Sequence, residues 1–213
     1  MDAGQFNWGV RYRSVIERIP TTSRFGRWLR VVMDQELRVR LRLEREQRGI
    51  LFQPATYTRE DRYPELYQAL ADRLCAIPNP RILCFGCSDG SEVRTLRRVI
   101  PGATIRGIDI NPLAIARARR SLARNPDPKI SYAEAGDTAA EPTGHYDAVV
   151  AVSVLRNEIL EFFAPGRCDA VLPYSRFAAA VDMLDRVLRP GGWLALWNTH
   201  HRFCDTDFRP ASA

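Results

Sequence analysis

Short apolar runs alternate with amphipathic stretches between Pro80 and Trp197, at the spacing of repeated strand–helix units. The apolar runs are nearly continuous, as in strands covered on both faces, and the stretches between them are apolar on one face only, as in surface helices. This alternation is typical of a parallel sheet packed between layers of helices. The sequence therefore predicts an α/β fold, with a doubly wound, mainly parallel sheet, helices on both faces and an N-terminal helical extension.

Local start and stop signals give the bounds of these elements. Pro101-Gly102 ends the first helix, and the segment 189–192 ends the third. Asn111 is expected to cap the second helix, with Pro112 in its first position. The run 146–153 is almost entirely apolar, so this strand is predicted to be central. The predicted strands are 81–85, 104–110, 130–133, 146–153 and 193–197, and the predicted helices are 91–99, 113–123 and 174–188.

The N-terminal part of the chain is predicted to be helical. One helix is expected at 65–75, and an arginine-rich segment covers 23–47. Leucine or valine alternates with arginine over 37–43, as it would in a strand. Leucine, arginine and glutamate are nevertheless good helix formers, and Glu36 and Arg40 lie at a favourable i,i+4 spacing, so a helix is favoured. The predicted domains are a helical extension or lid at 1–78 and a ligand-binding domain at 79–213.

Composition and charge indicate an ordinary soluble protein. Apolar residues make up 46% of the chain and charged residues 26%. The formal charge of +6 would suit an anionic partner, but the arginines are spread along the chain among acidic residues, so nucleic-acid binding is not favoured. There is no apolar stretch of about 18 residues and no signal-peptide pattern. We therefore expect a cytoplasmic protein with no membrane contact.

The five cysteines are an odd number without a regular framework, which is typical of reduced thiols. Cys84 and Cys87 form a C-x-x-C pattern that can mark a redox pair or half of a metal site. No second pattern of this kind accompanies it. A metal site is therefore not expected.

Two features point to a ligand at the ends of the first two strands. The turn Gly86–Gly90 follows the first strand, where glycines let the backbone approach a ligand and the next helix offers N–H groups to a carboxylate. A purely structural tight turn would look the same. Asp109 ends the second strand about twenty residues later, where a carboxylate can accept hydrogen bonds from both ribose hydroxyls. The alternative is that Asp109 only helps to start the next helix.

These two features are followed in the chain by three further motifs, Ala135–Asp137, Tyr146–Val150 and Leu188–Gly192. In this order the five motifs resemble those of the Rossmann-like class I S-adenosylmethionine-dependent methyltransferases. The resemblance covers residues 81–199. It implies S-adenosylmethionine as the cofactor, with the glycine turn at the methionine part and Asp109 at the ribose. Gly136, with Ala135, would flank the adenine ring, and Asp137 would accept a hydrogen bond from the adenine N6 amino group. Ser153 and Val154 would face the sulfonium and the acceptor. The implied cofactor-binding residues are Gly86, Cys87, Ser88, Gly90, Glu92, Asp109, Ile110, Gly136, Asp137, Ser153 and Val154.

The sequence departs from the family pattern at two positions. Cys84 stands where the family usually has an acidic residue that helps to hold the amino group of the ligand, and Ser88 stands where it usually has a glycine. Glu92 is the candidate replacement for the missing carboxylate. The Gly-Cys-Ser-x-Gly-x-Glu arrangement around it is similar to that of the chemotaxis-receptor methyltransferases.

The acceptor side has no catalytic signature. Methyl transfer mainly requires alignment and exclusion of water, and only some acceptors need a base. Ser153, Tyr174 and Arg176 are the candidate catalytic or substrate-contacting residues. His200 and His201 are expected to form a surface pair rather than to supply a base. The N-terminal aromatic residues are expected mainly to pack the extension onto the core, although their faces can also stabilise a sulfonium; they are Trp8, Tyr12, Trp28, Tyr57, Tyr63 and Tyr67.

Three functions follow from this reading. The first is a methyltransferase acting on a small-molecule acceptor, of the kind found in secondary metabolism. The second is attack on the γ-carbon of S-adenosylmethionine with release of methylthioadenosine, as in azetidine-2-carboxylate formation. This alternative is kept because the family normally adds two strands after the fifth, on the acceptor side, and only residues 200–213 remain for them here. The third, suggested by Cys84 and Ser88, is a non-catalytic binding module. The sequence leaves the acceptor and the oligomeric state open.

Overall fold

The computed structural model describes residues 34–54, 58–157 and 172–203. Several sequence-based predictions lie outside these ranges: the first part of the arginine-rich segment, the thiols of Cys168 and Cys204, and the aromatic residues Trp8, Tyr12, Trp28 and Tyr57.

The described residues form five helices and five strands. In chain order these are α1 (Gln35–Glu46), α2 (Pro64–Leu74), β1 (Arg81–Phe85), α3 (Ser91–Val99), β2 (Thr104–Asp109), α4 (Pro112–Arg124), β3 (Ile130–Glu134), β4 (Tyr146–Val152), α5 (Tyr174–Asp185) and β5 (Leu188–Trp197). None of the described helices has the length and apolar character that a bilayer crossing requires.

The five strands form one sheet in the order β3-β2-β1-β4-β5, and every neighbouring pair is parallel. The chain starts in the middle, moves outward through β2 to β3, and then crosses back to the other side of β1 to form β4. Ligands in such sheets bind outside the carboxyl ends of the strands at this reversal, between β1 and β4. All seven residues of β4 are buried, as its apolar sequence predicts.

Each face of the sheet carries its own apolar core, which confirms the predicted helices on both faces. Along β1, Ile82 and Cys84 point to one face, where they pack with side chains of α2, α3 and α4 such as Tyr67 and Leu96. The alternate residues of β1, such as Leu83, point to the opposite face, which is covered by α5. Because successive side chains of a strand alternate between faces, one short strand contributes to both cores.

Local capping explains where α1 and α4 begin. The Asn111 side chain accepts hydrogen bonds from the backbone N–H groups of Leu113 (2.9 Å) and Ala114 (3.3 Å), and Pro112 occupies the first helical position of α4, as predicted. Asp34 likewise caps α1. Residues 35–46 are therefore helical rather than extended, and the period-two alternation of leucine and arginine is overruled by helix propensity.

The end of the α5 prediction is wrong. Leu188 was predicted to end that helix, but α5 stops at Asp185 and Leu188 is the first residue of β5, opposite Tyr146. The backbone N–H groups of His145 and Tyr146 both donate to the Val187 carbonyl (2.8 and 2.9 Å), so strand pairing begins before the Arg-Pro-Gly-Gly segment. That segment is absorbed as a register shift within the β4–β5 pair.

Candidate functional site

A cavity of about 210 Å³ opens at the carboxyl ends of β1, β2 and β4, at the reversal of strand order. Its floor comes from the glycine turn, the end of β2 and the loops after β3 and β4. Its cover comes from residues before α2, namely Leu43, residues 50–54, Thr58 and Arg62. Eight of the predicted site residues line it: Gly86, Ser88, Glu92, Asp109, Ile110, Gly136, Ser153 and Val154.

The glycine turn has no room for a side chain at Gly86, which lines the cavity. Gly86 has φ +71°, and a Cβ built on it would lie 2.6 Å from Val154 Cγ2. Its N–H group and that of Cys87 donate to the Ile108 carbonyl (2.8 and 3.0 Å), which fixes the turn against β2. Ser88 also has a left-handed backbone, with φ +48°. The serine thus holds the conformation that the family's usual glycine adopts without strain.

Asp109 joins the glycine turn to the end of β2. Its Oδ2 accepts from the Ser88 N–H group and its Oδ1 from the Asn111 N–H group, both at 2.8 Å. Burial raises the pKa of Asp109, and these two hydrogen bonds oppose the rise. Each carboxylate oxygen has a second lone pair, so the same side chain can order the turn and still accept from a ligand. The structural and ribose-binding interpretations are therefore compatible.

Glu92 brings a buried carboxylate to the same end of the cavity. Its side chain is 4% exposed, and its Oε1 accepts from Arg62 Nη2 at 3.1 Å. The Cys84 Sγ lies 4.0 Å from Oε2. Burial raises the pKa of Glu92 to about 7; the Arg62 cation lowers it, and the charges of Asp109 and Asp89 raise it further.

Three predicted cofactor-binding residues are not in the cavity lining. Cys87 is fully buried, with its Sγ facing the backbone of Gly107. Gly90 has φ +83° and precedes α3, and a Cβ there would lie 2.4 Å from the Tyr132 hydroxyl. The Asp137 Oδ1 accepts from the Ala139 N–H group at 2.9 Å. In this structure the three residues support the walls, and their contacts with a cofactor stay predictions.

Arg176 and Tyr174, the predicted substrate contacts, also lie behind the lining. Arg176 Nη2 donates to the Leu51 carbonyl at 2.6 Å, and its guanidinium lies 4.5 Å from the centroid of the Phe52 ring. Leu51 and Phe52 are the residues that line the cavity. Tyr174 stacks edge-on against His201. Arg176 thus supports two of the residues that line the cavity, and contacts of Arg176 or Tyr174 with a substrate stay predictions.

The two neighbouring histidines are half-buried, not a surface pair. The His200 Nδ1 accepts from the Asn157 N–H group at 3.2 Å, and the His201 Nε2 lies 2.9 Å from the Leu172 carbonyl. Burial, with the nearby Arg156 and His201, lowers the pKa of His200. These contacts give both rings a role in holding loops together.

A polar cluster at the ends of β4 and β5 was not predicted from the sequence. Asn198 Nδ2 donates to Ser153 Oγ at 2.8 Å and lies 3.5 Å from the Tyr63 hydroxyl, which is 3.4 Å from Ser153 Oγ. Ser153 and Asn198 both have φ +56° and both line the cavity. Left-handed non-glycine residues cost about 1–3 kcal/mol each and concentrate at functional sites. An asparagine directly after a strand was the available sequence signal.

The two thiols of the C-x-x-C pattern are buried. Cys84 and Cys87 are free, buried thiols, and burial raises the pKa of each well above its usual range. Within the described ranges no group of three or more His, Cys, Asp or Glu side chains is placed to hold a metal ion.

A parallel sheet of this strand order, with a cavity at its reversal lined by a glycine turn and an acidic strand end, defines a nucleotide-binding α/β protein. The methyltransferase domain family matches residues 83–194, which is more than half of the chain. The chain belongs to this family, and its cofactor is S-adenosylmethionine. This match confirms the resemblance read from the ordered motifs.

Solved structures with similar folds include three with low sequence identity. The [4+2]-cyclase SpnF is 23% identical over 62% of this chain and 43% of its own, with a TM-score of 0.48. A methyltransferase from Geobacter sulfurreducens, solved with S-adenosyl-L-homocysteine, is 21% identical over 68% of this chain and 52% of its own, with a TM-score of 0.43. One from Aquifex aeolicus is 12% identical over 76% and 72%, with a TM-score of 0.46. The chain thus spans about half the length of the first two. The comparison with curated proteins finds no match.

Proposed function

We propose that this chain transfers the methyl group of S-adenosylmethionine to a small-molecule acceptor. The observation that carries the proposal is one continuous cavity with two chemically different ends. The glycine turn and Asp109 lie at one end, where they suit the methionine and ribose parts of the cofactor. The Ser153–Asn198–Tyr63 cluster lies at the carboxyl ends of β4 and β5, beside Val154, where an acceptor would enter.

The residues that line the cavity fit the cofactor. Ile50 and Ile110 converge on Gly136, whose added Cβ would lie 2.8 and 2.7 Å from their Cδ1 atoms. They form an apolar wall suited to the face of an adenine ring. Asp109 keeps lone pairs for the ribose hydroxyls, and Asp137 is proposed to reach the N6 amino group from beside this wall.

The bound cofactor supplies an activated methyl group, so the protein's work is alignment and exclusion of water. Leu51, Phe52 and Pro54 cover the cavity with apolar surface, and Arg176 holds the first two in place. This supports a covering role for the part of the chain before residue 79. Because Ser153 Oγ accepts from Asn198, its own proton is available to an oxygen or nitrogen atom of the acceptor.

One observation favours γ-carbon chemistry as a second candidate. Glu92 is a buried carboxylate at the methionine end, and burial raises its pKa to about 7, which suits a general base near neutral pH. In that reaction the ligand's own nitrogen forms a bond to the γ-carbon, the bond from that carbon to sulfur breaks, and Glu92 takes the nitrogen's proton. The sulfur leaves as methylthioadenosine.

The test is incubation of the purified chain with S-adenosylmethionine, alone and with a panel of small alcohols, amines and carboxylic acids, followed by mass spectrometry of the nucleosides. Acceptor-dependent S-adenosylhomocysteine supports methyl transfer. Methylthioadenosine formed without an acceptor, and lost in E92Q, supports γ-carbon chemistry instead. Tight binding with no product from any arm overturns both and leaves a binding module.

A further inference from the structure

Two tryptophans of β5 expose a large part of their rings. Trp193 is 40% exposed and Trp197 is 43% exposed, and they are two of the four exposed large apolar residues in the described part of the chain. Side chains two positions apart in a strand point to the same face of the sheet. Ala195, between them, packs against the core on the α2 face. The two rings therefore share a strand and a face, and they differ in what lies beside them.

Trp193 lies away from the cavity and already has a cation against its ring. It pairs with Ala148, near the amino end of β4, whereas the cavity opens at the carboxyl ends of the strands. The guanidinium of Arg73, from the last turn of α2, lies 4.4 Å from the centroid of the Trp193 ring. This cation–π contact accounts for the position of the Trp193 side chain.

Trp197 lies at the cavity end of the same strand. It is the last residue of β5 and pairs with Val152, the last residue of β4. The next residues of the two strands, Ser153 and Asn198, both line the cavity. The centroid of the Tyr63 ring lies 5.7 Å from that of Trp197, and the two ring planes are tilted by 50°. The rings of Trp197 and Tyr63 thus form an aromatic corner beside the cavity.

Tyr63 joins this aromatic corner to the Ser153–Asn198–Tyr63 cluster. Its hydroxyl lies 3.4 Å from Ser153 Oγ and 3.5 Å from Asn198 Nδ2. The guanidinium of Arg62 lies 5.0 Å from the centroid of the Tyr63 ring, which helps to hold the ring in place. One end of the aromatic corner therefore carries two hydroxyl groups and an amide, which can both donate and accept hydrogen bonds.

A planar aromatic ring with a polar substituent matches both parts of this arrangement. Aromatic rings attract each other by more than the area they bury, which a saturated ring of the same size does not do. The difference corresponds to about 2- to 10-fold in affinity. A hydroxyl or amino group on such a ring would reach the polar cluster at Ser153, the residue that is predicted to face the sulfonium together with Val154.

We propose that the acceptor is an aromatic ring that carries a hydroxyl or amino group, and that Trp197 selects it by stacking. A bond forms between the oxygen or nitrogen of that group and the methyl carbon. The bond from the methyl carbon to the sulfonium sulfur breaks, its electron pair stays on sulfur, and the proton of the hydroxyl or amino group is released to water. This inference deepens the proposed function and rests on methyl transfer taking place in this cavity.

The test is calorimetric titration of the full chain, saturated with S-adenosylhomocysteine, with 2-naphthol and with decahydro-2-naphthol. The two alcohols have the same carbon skeleton, and only one is aromatic. The wild type should bind 2-naphthol at least about threefold more tightly. W197L should bring the two affinities within about twofold of each other, and W197F, which keeps a ring, should retain most of the preference. W193L removes the exposed tryptophan outside the cavity and is the matched control, which should bind both alcohols like the wild type.

Affinity for S-adenosylhomocysteine within about twofold of the wild type shows that a variant is folded, and W197M is measured alongside as a second variant without a ring. Absence of an aromatic preference in the wild type overturns the inference without any variant. A preference that persists in W197L or W197M, or that W193L abolishes equally, overturns it too. In each of these cases the proposed function stands if any acceptor gives acceptor-dependent S-adenosylhomocysteine. If none of the aromatic or saturated acceptors does, the proposed function is overturned and this inference with it.

Discussion

Gly86 is a position where a single added methyl group should be strongly destabilising for a calculable reason. Its φ of +71° is left-handed, and its Cβ would meet Val154 Cγ2 at 2.6 Å and Val154 Cβ at 2.8 Å. The left-handed backbone costs a non-glycine residue about 1–2 kcal/mol, and overpacking a filled site costs about 1–3 kcal/mol. Gly86→Ala should therefore lower the free energy of unfolding by about 2–5 kcal/mol, a large share of the stability of an ordinary domain.

Two other glycines separate the energetic cost of the left-handed backbone from the cost of the close contact with Val154. Gly191 has φ +74° with nothing within 4 Å of its added Cβ, so Gly191→Ala should cost only the backbone term of about 1–2 kcal/mol. Gly49 has an ordinary φ and open space, so Gly49→Ala should be neutral or stabilising by up to about 1 kcal/mol. The measurement is urea denaturation followed by tryptophan fluorescence.

The difference between Gly86→Ala and Gly191→Ala isolates the contact with Val154. Because Val154 also lines the cavity, its displacement should weaken S-adenosylhomocysteine binding in Gly86→Ala and not in Gly191→Ala. The reasoning is refuted if Gly86→Ala is no less stable than Gly191→Ala, since the contact would then have no energetic consequence.

Three further predictions follow from the site. Ser88→Gly should raise the free energy of unfolding by roughly 0.5–1 kcal/mol in urea denaturation, because relief of the left-handed strain exceeds the entropy of the added glycine; a loss of stability would contradict this. Burial raises the pKa of Glu92 to about 7, so the folded state binds the Glu92 proton more tightly than the unfolded state does. The protonated carboxyl therefore stabilises the fold at low pH, and the free energy of unfolding should fall by about 3 kcal/mol as the pH rises from 4.5 to 7. E92Q should show a shallower decline in urea titrations at pH 5, 6 and 7.5, and equal slopes would be the contrary result. Asn198→Gly keeps the left-handed backbone but removes the hydrogen bond to Ser153, so it should lower turnover at least about tenfold while leaving S-adenosylhomocysteine affinity within about twofold; an equal loss of affinity would place Asn198 at the cofactor instead.

Much of the fold could be predicted because its signals are local. The bounds of β1 and α3 agree with the structure, and the Asn111-Pro112 start of α4 is where the sequence places it. A cap, a proline and an alternating apolar run act on residues a few positions away, so they operate before any tertiary contact forms. Asp109 and the glycine turn meet for a related reason, since consecutive parallel strands bring their carboxyl ends to one edge.

Leu188 shows where local reasoning fails. Its spacing continues the apolar face of α5, and nothing nearby in the sequence forbids a longer helix. Pairing with Tyr146, some forty residues earlier, makes it a strand residue instead. The apolar residue at this position suits either a helix or a strand, and strand pairing across the sheet decided between them.

The sequence by itself determined the α/β architecture and the order of its elements, because these follow from periodicity and from local start and stop signals, and the resemblance of its ordered motifs to a known family implied the class of cofactor. Only the tertiary structure decided that Arg62 meets Glu92, that Asn198 meets Ser153 and Tyr63, and that Leu51 and Phe52 cover the cavity. These contacts join residues far apart in the chain. Their geometry depends on how the segments before α2 and after β5 pack over the ends of the strands, which no local pattern encodes.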